Sequence, residues 1–149
     1  MEAEVSQQQL AERKQYLWSV TQISLASYIA GPVGGCYFLG RNYQALGQLE
    51  YSKKCYVAGI SGVILLLSII FLIPEDLMAS IPPIVFPLAY TSLISSFAHT
   101  YQKGVIEAKL AEGSRQFSYW WLFIVTISLL VIQVPLFFFF SSLFDIIIG

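Results

Sequence analysis

Most of the polar side chains that could do chemistry lie in one uncharged run, from Leu77 to Gln102. They recur at steps of three and four residues, so a helix would place them along one side. The members of this polar stripe are Thr91, Ser92, Ser95, Ser96, His99 and Thr100. Such a stripe can form hydrogen bonds to neighbouring helices, or it can line a small polar path for a solute. The sequence favours the first interpretation and leaves the second open.

Two further side chains in apolar surroundings are candidates for a specific role. His99 is the single histidine, and it comes four residues before Lys103, about 6 Å along a helix. This spacing predicts a position near water and an interfacial structural role, with proton handling as the alternative. Gln133 lies in another apolar run, where we expect a hydrogen bond to a neighbouring helix rather than to a ligand.

The sequence contains no recognisable catalytic, metal or cofactor pattern. No Asp, Glu, Lys or Arg interrupts the four long uncharged runs of the chain, so no carboxylate accompanies the serines, and one peripheral histidine among them is weak evidence for a catalytic triad. The stretch GPVGG does not match a phosphate-binding loop. Cys36 and Cys55 are interpreted as unpaired thiols. We therefore expect no catalytic residue, no metal and no cofactor.

The composition indicates that the solvent of this chain is a lipid bilayer. The 149 residues are 56% hydrophobic and 11% charged, whereas soluble domains carry about 25% charged residues. The net charge is −1 and no basic cluster is present, so nucleic acid is not an expected partner. The expected partners are lipid and either another membrane protein or further copies of the chain.

The uncharged runs predict the architecture. They cover 26, 20, 26 and 29 residues, and about 20 are needed to cross the hydrocarbon core. We predict an all-α, polytopic membrane protein with four transmembrane helices and short connections, in one domain covering residues 1–149. The spans are predicted at about 17–40, 55–74, 82–101 and 118–143, with a short surface helix at about 104–112.

The basic residues predict the orientation. The connections 41–54 and 103–115 carry six of the eight Lys and Arg residues, which places both connections in the cytoplasm and both termini outside. Arg13 and Lys14 disagree with this arrangement. If the first segment instead broke at Gly31 and Pro32 and returned to the side it came from, all eight Lys and Arg residues would face the cytoplasm. We favour a full span because the flanking residues suit lipid. A cleaved signal peptide is a third interpretation, but GPVGG is a poor cleavage site.

Small residues recur at spacing four in the first two predicted spans. They are Ser27, Ala30, Gly31, Gly34 and Gly35 in the first, and Ala58, Gly59 and Gly62 in the second. Small residues at this spacing let helix backbones approach closely, so we predict an antiparallel pair of helices with a kink at Pro32. The alternatives are a hinge or half-helix binding site, or homodimerisation through the same face.

The run GPVGGCYFLGRNYQALGQLE, followed by an apolar helix, resembles small four-helix proteins of the bacterial inner membrane that have no settled activity. The matching positions are Gly31, Pro32, Gly34, Gly35, Asn42, Leu46 and Gly47, with IPPIVFPLAYT at the start of the third span. The resemblance implies four spans and a bacterial inner membrane. It carries over no catalytic residue.

Taken together, these patterns predict a non-enzymatic accessory or scaffold subunit of a larger membrane assembly. The alternative is a small oligomeric transporter or channel that uses the Pro32 kink and the polar stripe from Thr91 to His99. A membrane enzyme is a third hypothesis.

Overall fold

The computed structural model describes residues 15–148, and for residues 144, 145, 147 and 148 only the backbone. The described chain forms six helices and two strands of two residues each. In chain order they are β1 (Tyr16–Leu17), α1 (Val20–Ala45), α2 (Leu49–Leu72), α3 (Glu75–Ser80), α4 (Val85–Tyr101), α5 (Lys103–Ala111), β2 (Arg115–Gln116) and α6 (Tyr119–Ile148).

Local sequence signals explain where several helices begin and end. The Ser19 hydroxyl accepts the backbone N–H of Gln22, and the Gln22 side chain accepts the N–H of Ser19, which is a complete capping box at the start of α1. Gly47 and Gly113 follow α1 and α5 with φ of 75° and 100°. These left-handed conformations suit glycine at a helix end.

The helix α1 is broken in its middle. Ala30 has φ −105° and ψ 16°, and Gly31 has φ 68° and ψ −163°, both outside the helical region. The two arms, residues 20–29 and 32–45, then run in opposite directions. In a continuous helix Trp18 and Asn42 would lie about 36 Å apart, yet the Asn42 side chain hydrogen-bonds to the Trp18 backbone at 2.8 Å. The segment is therefore a helical hairpin.

The hairpin corrects the prediction that residues 17–40 form a single span. By length and composition, three described helices could cross a membrane, namely α1, α2 and the part of α6 from Tyr119 to Leu143. The arms of α1, however, are only about 15 and 21 Å long, whereas the hydrocarbon core is about 30 Å thick. Neither arm is long enough to cross it. The break falls at the Gly31–Pro32 site that the alternative interpretation of the sequence named.

The remaining predicted spans correspond to α2, α4 and α6, and the predicted surface helix corresponds to α5. α4 returns the chain from the end of α2 towards α5. With 17 residues it is shorter than α2 and α6 and lies at the lower limit of about 17 residues for a spanning helix. The connection between α2 and α4 contains the short helix α3, which begins with Glu75 and Asp76. We call this side of the molecule the acidic end, and the side with α5, β1 and β2 the basic end.

The hairpin lies at the centre of the bundle. α2, α4 and α6 each pack mainly against α1 rather than against one another. The most buried apolar side chains come largely from the hairpin and include Ile23, Ala26, Phe38 and Leu39. In contrast, α2 and α6 leave most of their apolar side chains exposed. The core therefore lies in the half of the bundle nearer the basic end.

A parallel bridge ties the start of the hairpin to the start of α6. Tyr16 pairs with Arg115 and Leu17 with Gln116. The bridge is extended by hydrogen bonds from Arg115 N to Gln15 O and from Phe117 N to Leu17 O. It fixes the first arm and α6 side by side where both enter the bundle.

Candidate functional site: the hairpin and its polar contacts

The base of the hairpin is closed by the side chain of Asn42. Its Oδ1 accepts the backbone N–H of Trp18 at 2.8 Å, and its Nδ2 donates to the Trp18 carbonyl at 2.8 Å. Nδ2 also donates to Oε1 of Gln102 at 3.1 Å. Asn42 and Gln102 are fully buried. The amide of Asn42 thus pairs with the Trp18 backbone as a neighbouring strand would, and it holds the two ends of the hairpin together.

Two glutamines extend this buried amide network to other elements. Gln102, at the end of α4, donates Nε2 to the carbonyl of Leu39 in the second arm at 3.1 Å. Gln22, in the first arm, donates Nε2 to the carbonyl of Phe117 before α6 at 2.7 Å. Because an unpaired buried amide is costly, the network specifies how the arms, α4 and α6 fit together.

Aromatic rings seal the same region. The Trp18 ring stacks on Phe117 with centroids 4.2 Å apart and meets Phe38 edge-on at 4.5 Å. Trp18 is 4% exposed. The indole therefore fills the space between the two arms and α6.

The tip of the hairpin contacts α6 through Gln133. Its Nε2 donates to the carbonyl of Ala30 at 3.0 Å and to that of Leu129 at 3.2 Å. The Ala30 carbonyl is at the break, where a regular helix no longer supplies a donor. Gln133, for which the sequence predicted an interhelical hydrogen bond, supplies that donor. It is not part of a row with the α4 polar residues.

The small residues of α1 pack mainly inside the hairpin. A Cβ at Gly34 would lie 2.6 Å from the Ala26 carbonyl oxygen and 2.8 Å from the Ala30 Cβ. A Cβ at Gly35 would lie 2.8 Å from both the Ser27 Cβ and Ile94 of α4. Gly34 and Gly35 were predicted to contact the second predicted span, which is α2. In the structure Gly34 instead contacts the first arm, and Gly35 contacts the first arm and α4.

The small residues of α2 pack on the second arm. A Cβ at Gly59 would lie 2.8 Å from the Cys36 Cβ, and one at Gly62 would lie 3.2 Å from the Pro32 Cβ. Ala58 lies beside them and faces the same arm across an apolar cavity that Cys36 also lines. The predicted antiparallel pair thus consists of α2 and the second arm alone. Pro32 begins that arm, where its missing N–H costs little.

The polar stripe of α4 divides between two faces of the helix. Ser95 Oγ accepts a hydrogen bond from the Ser24 hydroxyl of the first arm at 2.9 Å. Thr91, one turn earlier, has a buried hydroxyl without a partner. Ser92, Ser96 and His99 are exposed on the outside of the bundle. The stripe therefore does not line one continuous path within a single described chain.

His99 lies near the basic end, as its spacing from Lys103 predicted. Its Nε2 is 3.2 Å from the Nζ of Lys103. Among the described residues no carboxylate approaches this pair within salt-bridge distance, and none of the described His, Cys, Asp and Glu residues form a group that could hold a metal. Cys36 and Cys55 are free thiols.

The amide network was not predicted from the sequence. A signal existed, because Gln22, Asn42 and Gln102 all lie near the ends of long apolar runs. Their pairing joins residues 60 and more positions apart, which periodicity cannot show.

In comparisons with protein-family models, curated proteins and solved structures, no family, relative or fold neighbour matches this chain.

Proposed function

We propose that the chain is an integral membrane protein that crosses the bilayer three times, through α2, α4 and α6, with the hairpin α1 entering from the cytoplasmic side. The six described basic residues all lie at the basic end or in the connections that meet it, and Glu75 and Asp76 lie at the acidic end. This distribution follows the positive-inside rule. The bacterial inner membrane remains the proposed location, on the strength of the resemblance alone.

A hairpin that stops within the hydrocarbon core requires protein around its backbone. The packing supplies it, because Ala30 is 2% exposed and its carbonyl is paired with Gln133. The arms are about half as long as the core is thick. This geometry supports the re-entrant placement.

Within the membrane we propose that the chain is a non-enzymatic accessory or scaffold subunit of a larger assembly. One observation carries this proposal. Ser92 and Ser96 expose their hydroxyls on the outside of α4 without a hydrogen bond. The exposed Ser68 of α2 and Ser128 of α6 instead donate to the carbonyl four residues earlier, at 2.8 Å in each case. Ser61 of α2 is also exposed without a hydrogen bond, but it stands alone, with Val57 and Leu65 one turn to either side.

A helix from another subunit would pair the hydroxyls that α4 leaves open. Ser92 and Ser96 are one turn apart, and their small side chains allow a second helix to come close. His99 continues the same outer row by one more turn towards the basic end. Each interhelical hydrogen bond contributes about 0.6 kcal/mol on average, so such a row gives specificity of docking more than affinity.

The test replaces Ser92 and Ser96 together by leucine and measures the mass of the particle extracted in mild detergent. The wild-type chain, of 16.7 kDa, is expected in a complex well above the mass of one copy. The double leucine variant should release it as a monomer. The matched control replaces Ser68 and Ser128 by leucine, which should leave the complex intact. A wild-type chain that is monomeric and co-purifies with nothing would contradict the proposal.

A small oligomeric transporter or channel is the second candidate, and the broken hairpin favours it, since interrupted helices occur at transporter sites. Its path would have to run between copies along the outer face of α4. In a background without Cys36 and Cys55, cysteine at Ser92 or Ser96, both on that outer face, distinguishes the two functions. Silence towards a water-soluble thiol reagent supports docking, and labelling from either side supports a path.

A further inference from the structure

An apolar groove runs along the surface between α2 and α4. It consists of two successive cavities of about 390 and 440 Å³. Both are lined by the same four residues where they meet, namely Cys36, Ala58, Leu93 and Ile94. Volumes of this order are typical of small-molecule sites.

Three helix faces build the groove. The second arm of α1 forms its floor, with Pro32, Cys36 and Leu39 at helical spacing. α2 and α4 form the walls. On α2 the lining extends from Tyr51 to Ile69, a distance of about 27 Å along the helix. The groove therefore runs nearly the full thickness of a hydrocarbon core, which is about 30 Å.

Most of the polar groups that line the groove lie at its basic end. Tyr43, Tyr51 and Lys54 surround the cavity there, and the lining towards the acidic end is aliphatic and aromatic apart from Tyr90. The Lys54 Nζ lies 5.3 Å from the centre of the Tyr51 ring. No described carboxylate lies within salt-bridge distance of Lys54.

The neighbouring Lys53 differs from Lys54 in its position and in its ion pairing. It does not line the groove, and its Nζ is 3.4 Å from Oε1 of Glu50. At the far side of the molecule the connection carries Glu75 and Asp76, which would repel an anion. A ligand with an apolar chain and a negative head would therefore fit the groove in one direction only.

We infer that this groove binds one anionic lipid, with its acyl chain along Cys36, Ala58 and Ile94 and its headgroup at Lys54. The aliphatic lining suits the chain, the Lys54 ammonium, which has no described carboxylate partner, suits a phosphate, and the position at the basic end suits the cytoplasmic leaflet. Such a site is distinct from the outer face of α4 that carries Ser92 and Ser96. It shares with the proposed function only the placement of the chain in a bilayer.

The test uses the full chain in phosphatidylcholine nanodiscs with a trace of phosphatidylglycerol that carries a photoactivatable diazirine on one acyl chain. Crosslinks should map to α2 and α4 around Ala58 and Ile94. Lys54→Gln should reduce crosslinking about fivefold, the effect expected of one cation near an anionic lipid. Lys53→Gln, the adjacent control, should leave it unchanged. A phosphatidylcholine probe with the same diazirine should label the wild-type chain only weakly.

A second pair of variants tests the groove itself. Ala58→Phe places a ring between its walls and should abolish crosslinking, whereas Val57→Phe, on the exposed side of the same turn, should not. Equal labelling by both probes, equal effects of the two lysine variants, or unchanged labelling of Ala58→Phe would overturn the inference. So would a co-purifying membrane protein that occupies the groove and excludes the probe. The variant with leucine at Ser92 and Ser96 should keep full labelling, so failure of the docking proposal is distinguishable from failure of the lipid site.

Discussion

Gly31 is the residue at which the direction of α1 changes. Its φ of 68° combined with a ψ of −163° belongs to a region that is essentially restricted to glycine. A Cβ added there would meet nothing within 4 Å. The requirement for glycine is therefore conformational and not steric, and Pro32 then starts the second arm with a suitable φ.

Replacing Gly31 by alanine should destabilise the fold by about 1–3 kcal/mol, the cost of holding a side chain in this conformation. The measurement is the thermal unfolding of the purified chain in detergent. Gly104→Ala is the control, because Gly104 is helical and equally open, and alanine favours a helix there. Equal stability of the two variants would show that the chain does not depend on the reversal at Gly31.

At the residue scale, the sequence showed where the chain could break but not how sharply. Gly31 and Pro32 are strong helix breakers in any apolar segment, but this pair is compatible with a mild kink as well as with a complete reversal. Contacts between the arms, such as those of Asn42 with Trp18 across 24 positions and of Gly34 with Ala26, distinguish a hairpin from a kinked span. Those contacts depend on the fold of the whole segment.

At the scale of elements, the closed arrangement of the two arms depends more on the contacts at the base of the hairpin than on those at its tip. Asn42, Gln102 and the Trp18 backbone satisfy one another in a fully buried site at the base. At the tip, one hydrogen bond from Gln133 reaches the Ala30 carbonyl. The base therefore holds most of the polar interactions that fix the position of the arms.

Replacing Asn42 by alanine should cost about 3 kcal/mol, because it leaves buried groups of Trp18 and Gln102 without partners. Loss of thermal stability should be accompanied by faster proteolysis between the arms. Gln44→Ala serves as the control, since the Gln44 side chain is exposed and hydrogen-bonds only to Arg41. If the two variants unfold at the same temperature, the amide network does not hold the hairpin closed.

The helices α2, α4 and α6 could be predicted from hydropathy, and α5 as a short surface helix between two of the uncharged runs. The burial of α1 could not. Its hydropathy is lower than that of α2 and α6, a difference that is consistent with its place at the centre of the bundle. Hydropathy does not report which helix faces meet, so the division of the α4 stripe into an inner and an outer face also required the structure.

At the scale of the whole molecule, the hairpin changes the topology that the sequence first favoured. Four full spans place the residues before α1 and the α1–α2 connection on opposite sides of the membrane. A hairpin and three spans place them on the same side. Arg13 and Lys14, which disagreed with four spans, lie outside the described residues, which begin at Gln15.

The most direct test labels single cysteines at Gln15 and Gln48, in a variant without Cys36 and Cys55, with a membrane-impermeant thiol reagent. A third cysteine at Asp76 marks the opposite side. In intact cells the first two should be protected and the third labelled, and in inverted membrane vesicles the pattern should reverse. Labelling of Gln15 and Gln48 from opposite sides of the membrane would contradict the re-entrant hairpin, and with it the three-span arrangement.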